Sequence, residues 1–211
     1  MNRIVLVLMS VCALLAAAVP AFAERRTRFG PTILFHRADF AEDAFEQTSS
    51  PPAIPDSGAA LSIGIGVSHI EPLTESLGLL IALRLTTAIA VAGDREGRSL
   101  SDYRTPRAIG DGIVGISAIR GRAGTVRFDA GGGFYFVNLM VRGIDSSVPS
   151  LETRLLGGVG IEAAASVPLT AGSDLFAAGC FGYGFFPLTT GIRRTDSVLG
   201  SGLTIGVQLW H

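Results

Sequence analysis

The segment Leu77–Ala92, LGLLIALRLTTAIAVA, alternates between two kinds of side chain. Its odd-numbered positions are large and apolar apart from Thr87, whereas its even-numbered positions are mostly small and include one charge, Arg84. A period of two predicts a β-strand with one apolar face and one small or polar face. At 16 residues, this strand is far longer than the five or six residues usual in globular proteins.

The same period of two recurs along the chain and predicts eight strands. The first candidate is the weakest, because Pro31 costs a ladder hydrogen bond. The fourth is ambiguous in its faces, because isoleucines occupy both odd and even positions. The predicted strands are 27–37, 61–68, 77–92, 107–120, 125–140, 151–167, 174–189 and 202–210.

The connections between these strands sort into two alternating kinds. Long loops rich in Pro, Ser, Asp and Arg are predicted at 38–57, 93–106, 141–150 and 190–196. Short turns are predicted at 71–76, 121–124 and 168–173. Long loops that alternate with short turns over an even number of strands are typical of outer-membrane barrels. If residues 27–37 do not form the first strand, residues 38–57 are instead part of a disordered N-terminal linker.

The composition favours lipid over water as the surroundings of this barrel. Only 17% of the residues are charged, against 48% hydrophobic, and a soluble surface usually carries about 25–35% charge. The rival fold is a soluble barrel with its apolar face turned inward. Long strands whose second face is small suit a crowded interior and an apolar exterior. We therefore predict an all-β, eight-stranded, antiparallel, up-and-down transmembrane β-barrel of an outer membrane.

The N-terminus has the pattern of an export signal. An apolar run at 4–19 precedes Pro20–Ala23, which contains the A-x-A pattern of a signal peptidase site. A spanning helix is the alternative, but it needs about 20 apolar residues. We predict a cleaved signal peptide at 1–23 and a single barrel domain at 24–211. Cys180 is then the one remaining cysteine, so no internal disulfide is expected.

Six charged residues fall on the small faces that point into the predicted barrel. Either they form a paired, structural network, or they line a narrow polar conduit or gate. The first interpretation is favoured, because the side chains of an eight-stranded barrel fill its interior. The predicted lumen charges are Arg84, Arg127, Asp129, Glu152, Arg154 and Glu162. The rest of the lumen is expected to be polar apart from Leu80 and Trp210.

Aromatic side chains near the strand ends predict girdles around an apolar band. The girdle candidates are Phe128, Phe134, Phe136, Phe181, Tyr183, Phe185 and Trp210. The loops carry arginines, which bind phosphate bidentately and would contact anionic headgroups or a ligand. The alternative is a solvated loop of mixed charge. These arginines are Arg95, Arg98, Arg104, Arg193 and Arg194.

The sequence gives little support for catalysis, a metal or a cofactor. Its histidines are His36, His69 and His211. Ser68 precedes His69, but neighbouring residues of a strand point to opposite faces. The net charge of −1 gives no basic surface for nucleic acid. We expect no enzyme activity, no cofactor and no metal.

The chain resembles the small eight-stranded outer-membrane barrels, the class of the OmpA barrel and of outer membrane proteins X and W. The resemblance covers nearly all of the mature chain and is architectural, resting on strand rhythm, loop asymmetry and an apolar last strand. The family's last strand usually ends in Phe or Trp, which the barrel-assembly machinery is thought to read. Here Trp210 is penultimate and His211 is last, which leaves the recognition of this barrel open.

The resemblance implies two classes of function. One is passage of small hydrophobic molecules across the outer membrane, as in outer membrane protein W, with exit through the barrel wall. The other is a plugged structural or surface-interaction barrel of adhesin type that acts through its loops. A soluble periplasmic ligand-binding barrel is a third alternative. The implied partners are outer-membrane lipids, the assembly machinery, and either hydrophobic solutes or a host or surface ligand.

Overall fold

A computed structural model of the chain describes residues 25–40, 56–74, 77–93, 106–142, 151–188 and 197–211. These residues contain the strands β1 (Arg26–Phe40), β2 (Asp56–Pro72), β3 (Gly78–Gly93), β4 (Pro106–Ala123), β5 (Val126–Arg142), β6 (Leu151–Thr170), β7 (Ser173–Pro187) and β8 (Ser197–Trp210). They form a closed barrel in chain order, and each strand pairs antiparallel with its neighbours. The predicted fold class is confirmed. We call the end where Arg25 and His211 meet and where the short turns lie the turn end, and the opposite end the loop end.

The strands run further than the hydropathy pattern indicates. Residues 38–40 extend β1 and residues 56–57 extend β2, so both ends of the predicted loop 38–57 belong to strands. The turn predicted at 121–124 shortens to two residues that begin at Gly124, whose φ is +63°. Ladder hydrogen bonds join backbone groups, so pairing continues through small and polar residues that look like loop in the sequence. The middle parts of the loops predicted at 38–57, 93–106, 141–150 and 190–196 lie outside the described residues.

The two faces of the barrel wall differ as the alternation predicts. On β3, the outward Leu85 is 73% exposed, whereas the inward Arg84 is only 3% exposed. Large apolar side chains cover the outside of the other strands as well, including Ile65 on β2 and Ile161 on β6. Such a surface is stable against hydrocarbon and not against water. In the part of the chain described, no helix has the length and apolar character needed to cross a membrane.

β1 and β8 close the barrel, and Pro31 lies at this closure. The β1–β8 pairing runs to Phe29–Val207 and resumes at Thr32–Thr204, without bridges at Gly30 and Pro31. Pro31 has no N–H to donate, so the predicted loss of a ladder bond falls here. Gly30 permits a close approach, since a Cβ at this position would lie 2.8 Å from Cα of Gly206.

The contact between β3 and β4 ends early at the loop end. Its last pair is Thr87–Ala108, yet β3 continues to Gly93 and stays paired with β2 along that length. Within the described residues, Ala88–Gly93 therefore has a partner strand on one side only. We call this segment the unpaired β3 edge.

Candidate functional site

Apolar side chains fill much of the barrel interior in its loop-end half. Inward side chains from β1, β2, β4, β5, β6 and β8 form one buried hydrophobic cluster there. We call this group the loop-end cluster, and its members are Ala38, Ala60, Ile109, Ile113, Tyr135, Val137, Leu139, Leu156 and Val198. Ile70, Leu80 and Ala82 continue the cluster towards the turn end. The expectation that the lumen is polar apart from Leu80 and Trp210 is therefore wrong for this half.

The remainder of the interior holds buried charges of both signs. Within the described residues, four arginines and four carboxylates form ion pairs, and Gln208 connects the Arg127–Asp174 pair to the others. We call this group the interior charge network, and its charged members are Arg26, Arg28, Arg84, Arg127, Asp111, Asp129, Glu162 and Asp174. Equal numbers of opposite charges let the network be buried without a net charge, which is the condition under which buried ions are tolerated.

The interior charge network has two parts. In the part nearest the loop-end cluster, Arg84 makes the central contacts. Its Nε donates to Asp111 Oδ1 at 2.7 Å, and its Nη1 donates to Glu162 Oε2 at 2.9 Å. Asp111 Oδ2 accepts a hydrogen bond of 3.2 Å from the Tyr135 hydroxyl and lies 3.3 Å from His36 Nε2. All five side chains are buried. Arg84 thus ties β3 to β4 and β6 across the interior.

Arg28 is the centre of the part nearer the turn end. Its Nε donates to Gln208 Oε1 at 2.7 Å, and its guanidinium also pairs with Asp129. Asp129 accepts a second hydrogen bond from Arg26 Nη1 at 3.1 Å. Gln208 links Arg28 to Asp174, because its Nε2 donates to Asp174 Oδ2 at 3.2 Å. The network therefore reaches from β1 through β5 and β8 to β7.

Trp210 covers the network at the turn end. The guanidinium of Arg26 lies 5.0 Å from the Trp210 ring centroid, and that of Arg127 lies 4.6 Å from it. Both distances are within the range of cation–π attraction. Arg127 Nη1 also lies 3.6 Å from Asp174 Oδ2. The prediction of Trp210 as a girdle aromatic is corrected by these contacts, because its partners belong to the interior charge network.

The predicted lumen charges are only part of this network. Arg84, Asp129 and Glu162 are buried inside the barrel, and Arg127 is half-buried at the turn-end mouth. The side chains of two further predicted lumen charges, Glu152 and Arg154, lie outside the described part of the structure. The predicted loop arginines also lie outside the described residues: Arg95, Arg98, Arg104, Arg193 and Arg194.

The sequence analysis did not predict four charged members of the network: Arg26, Arg28, Asp111 and Asp174. The inward direction of Arg28 could have been predicted from its neighbours. Phe29 and Ile33 face outward, so the opposite parity of β1 places Arg28 inside.

The other predicted girdle aromatics lie on the outer wall. Their exposed fractions lie between 36% and 47% for Phe128, Phe134, Phe181, Tyr183 and Phe185. Phe136 is half-buried and covers Gly112 of β4. At the loop end, Phe186 joins the group, with its ring centroid 5.9 Å from that of Phe134 and 5.3 Å from that of Phe185.

The histidines do not assemble with Ser68. That serine is buried, whereas His69 is half-buried beside Thr27 and Glu71. His69 Nδ1 lies 3.0 Å from Thr27 Oγ1, and its Nε2 lies 3.2 Å from Glu71 Oε2. Arg25 Nε donates to the other oxygen of Glu71 at 2.9 Å. Among the described residues, no three His, Cys, Asp or Glu side chains are grouped so that they would hold a metal ion.

No protein-family model and no curated protein matches the sequence. Solved structures do match its fold. The outer membrane protein OprG from Pseudomonas aeruginosa is 12% identical, with a TM-score of 0.53 over 92% of this chain and 98% of that one. The outer membrane protein AlkL, solved in lipid bilayers, is 12% identical, with a TM-score of 0.55 over 91% of this chain and 94% of that one.

A third match is the attachment invasion locus protein Ail of Yersinia pestis. It is 10% identical, with a TM-score of 0.42 over 89% of this chain and 100% of that one. At such identities the matches to OprG and AlkL bear on architecture alone. Together with the closed barrel and its apolar exterior, they show that this chain has the fold of the small eight-stranded outer-membrane β-barrels.

Proposed function

We propose that this protein lies in an outer membrane and passes small hydrophobic molecules from the loop end of the barrel into the surrounding lipid. The observation that carries the proposal is the position of the unpaired β3 edge, Ala88–Gly93, beside the loop-end cluster. In this proposal, residues 1–23 are the export signal that directs the chain to that membrane.

Ala88 connects the cluster to the edge. It packs against the cluster from the inside, and it is the first β3 residue beyond the Thr87–Ala108 pair. A register shift in the β2–β3 pairing follows Ala88, and it places Ala90 opposite the outward Leu61. On the opposite strand, Pro106 has no N–H with which to extend the ladder. An opening here would be bordered by small apolar groups.

The interior charge network closes the straight route through the barrel. Arg28, Arg84, Asp111 and Glu162 are buried and bonded to one another or to polar neighbours. An apolar molecule would have to separate these pairs, at several kcal/mol for each. A polar solute meets a filled interior, as is usual for eight strands. The route that remains runs sideways, above the network.

The outer wall offers such a molecule a favourable destination. Outside the barrel, Leu85 and Ile89 of β3 are exposed and apolar, so the neighbouring phase is hydrocarbon. Transfer of apolar area from water to hydrocarbon is favourable by roughly 25 cal/mol per Å². The gradient in hydrophobicity would therefore drive net passage without an energy source.

The test uses intact cells, whose outer leaflet slows hydrophobic compounds. Cells that express the full chain and cells with an empty vector are mixed with the dye N-phenyl-1-naphthylamine, which fluoresces in membranes. We expect several-fold faster dye uptake with the protein. Liposomes that contain the purified protein should take up arabinose no faster than empty liposomes, because the interior charge network remains closed.

A pair of variants locates the route. Ala88→Phe places a large ring where the loop-end cluster meets the unpaired β3 edge and should reduce dye uptake towards the vector level. Ala165→Phe adds the same ring on the outer wall of β6, where Ala165 is exposed, and should leave dye uptake unchanged. Equal dye uptake with and without the protein would contradict the proposal and leave the loops as the surface to examine.

A further inference from the structure

One ion pair of the interior charge network is longer than the others, and we call it the weak joint. The two parts of the network meet there, at Arg28 and Glu162, where Arg28 Nη1 and Glu162 Oε1 are 3.9 Å apart. This distance is too long for a direct hydrogen bond. Both atoms are buried, in side chains that are only 2% and 4% exposed, and neither has a hydrogen-bond partner among the described residues. Two opposite charges that face each other in this way need a third group between them.

A third unsatisfied atom belongs to Arg84, which lines a cavity together with Glu162. Arg84 Nη2 is buried and has no partner in the part of the chain described. Arg84 and Glu162 both line a cavity of about 10 Å³, which is about the space needed for one water molecule. The other lining residues are Gly66, Val67, Ser68, Phe176, Ala178 and Thr204.

Gly66 keeps this cavity open. A Cβ at Gly66 would lie 2.8 Å from Thr204 Oγ1 and 3.4 Å from Arg84 Cγ. Thr204 is itself engaged with Thr32, with 2.8 Å between the two hydroxyl oxygens. The absence of a side chain at position 66 therefore leaves room beside the unsatisfied atoms of Arg84 and Glu162.

We infer that this cavity binds one buried water molecule that bridges Arg84 Nη2 and Glu162 Oε1. Arginine N–H groups only donate and a carboxylate only accepts. Water accepts from the first and donates to the second, so a single molecule satisfies both. A cation would be repelled by the two guanidinium groups. An anion would leave Glu162 Oε1 unsatisfied, and inorganic anions are larger than the cavity.

The water site completes the hydrogen bonding of the Arg84–Glu162 pair. With it, Arg84 Nη2 and Glu162 Oε1 both gain a partner, beside the direct bonds of Arg84 to Asp111 and Glu162. Water-mediated bonds are enthalpically close to direct ones. The inference concerns the closed half of the barrel and does not depend on the proposed passage of hydrophobic molecules.

A crystal structure of the unaltered protein tests the site directly. We expect an ordered water within roughly 2.7–3.2 Å of both Glu162 Oε1 and Arg84 Nη2. Data that show other buried waters but no water at this position would overturn the inference. Direct contact between Arg28 Nη1 and Glu162 Oε1 would overturn it as well.

A matched pair of glycine variants gives a second test. Gly66→Ala fills the cavity, expels the water and leaves the charged atoms without a partner, and its Cβ also presses on Thr204, so the thermal unfolding midpoint should fall by about 5 °C. The fraction folded at each temperature is read from the different gel mobilities of folded and unfolded barrel. Gly179→Ala is the control, because a Cβ there meets only one atom, at 4.0 Å, and its midpoint should not fall. A midpoint for Gly66→Ala that stays unchanged or rises would mean a dry cavity and overturn the inference.

Discussion

The two halves of the barrel interior solve the same packing problem in different ways. In the loop-end half, apolar side chains such as Ile109 and Leu139 fill most of the space. In the turn-end half, Arg28, Arg84 and their carboxylate partners fill it with balanced charge. Both halves are buried, but an apolar molecule would displace only apolar side chains from the first, whereas in the second it would have to separate ion pairs. The comparison shows that the two ends of one small barrel can be filled by different kinds of side chain. The boundary between the halves then determines where a hydrophobic molecule could leave the barrel.

The largest effect is expected from the centre of the interior charge network. Arg84→Ala removes the one arginine that hydrogen-bonds both Asp111 and Glu162 and leaves excess negative charge buried, which should lower the free energy of unfolding by about 3–5 kcal/mol. Urea titration in detergent micelles, followed by gel mobility, measures this change. Arg122→Ala is the matched control, because Arg122 is exposed and its Nε donates to the carbonyl of Gly124, and it should cost less than about 0.5 kcal/mol. If both variants lowered the free energy of unfolding by similar amounts, the ion pairs of Arg84 would not stabilise the barrel as proposed.

The next effect belongs to the loop-end cluster. Leu156 is fully buried there, so Leu156→Ala should leave a cavity and cost about 2–5 kcal/mol in unfolding free energy. The same titration serves as the measurement. Leu85→Ala provides the comparison, because Leu85 is 73% exposed on the outer wall and its loss creates no internal cavity. If Leu156→Ala were no more damaging than Leu85→Ala, the loop-end half would not be a packed core.

A third prediction tests which phase surrounds the barrel. Leu85→Arg puts a charge on the exposed face of β3, and it should cost about 2–4 kcal/mol in a lipid bilayer if Leu85 lies near the midplane. Reversible unfolding from phospholipid vesicles would measure it. A soluble barrel would accept arginine at this exposed position with almost no change in stability, and such a result would refute the membrane location.

The smallest effect is expected at the turn-end mouth. Arg127 is half-buried, lies 3.6 Å from Asp174 and stacks on Trp210. Partly exposed ion pairs and cation–π contacts are weak, so Arg127→Ala should cost about 0.5–1 kcal/mol. A loss as large as that of Arg84→Ala would show that the network is no weaker at its rim than at its centre. Chemical unfolding at two salt concentrations would also show the screening expected of an exposed pair.

The sequence predicts the fold well because the fold depends on alternation. Eight strands, their order and the outward direction of residues such as Leu85 and Phe181 follow from the period of two. Arg84 and Glu162 could also be placed inside, because each stands as a charge between apolar neighbours of opposite parity. Strand ends were predicted less well, since backbone pairing continues through residues 38–40 and 56–57 whatever their side chains.

Alternation fails where both faces of a strand are apolar. On β4, Ile109 and Ile113 point into the loop-end cluster while Ile116 faces outward. The strand therefore shows no contrast between its faces, and a register shift between Ser117 and Ile119 changes the parity further along. The position of Asp111 inside the barrel, and the apolar cluster itself, could not be predicted for this reason.

Contacts between distant strands are also beyond a pattern of single strands. Trp210 has the position of a girdle aromatic at a strand end, yet Arg26 and Arg127 hold it over the mouth of the barrel. The weak joint between Arg28 and Glu162 depends on β1 and β6, which are not neighbours in the sheet. Such features follow from how the barrel closes, and closure is a property of all eight strands together.

The central claim is that hydrophobic molecules pass sideways between β3 and β4 above a sealed charge network, and a reversible clamp tests it most directly. The positions that follow the Thr87–Ala108 pair along the two strands are Ala88 and Arg107. Cysteines at both, with Cys180→Ser to prevent mispairing, would form a disulfide across the gap. The account predicts dye uptake at the vector level in oxidised cells and its recovery after reduction. Equal uptake by the oxidised and the reduced protein would contradict the account.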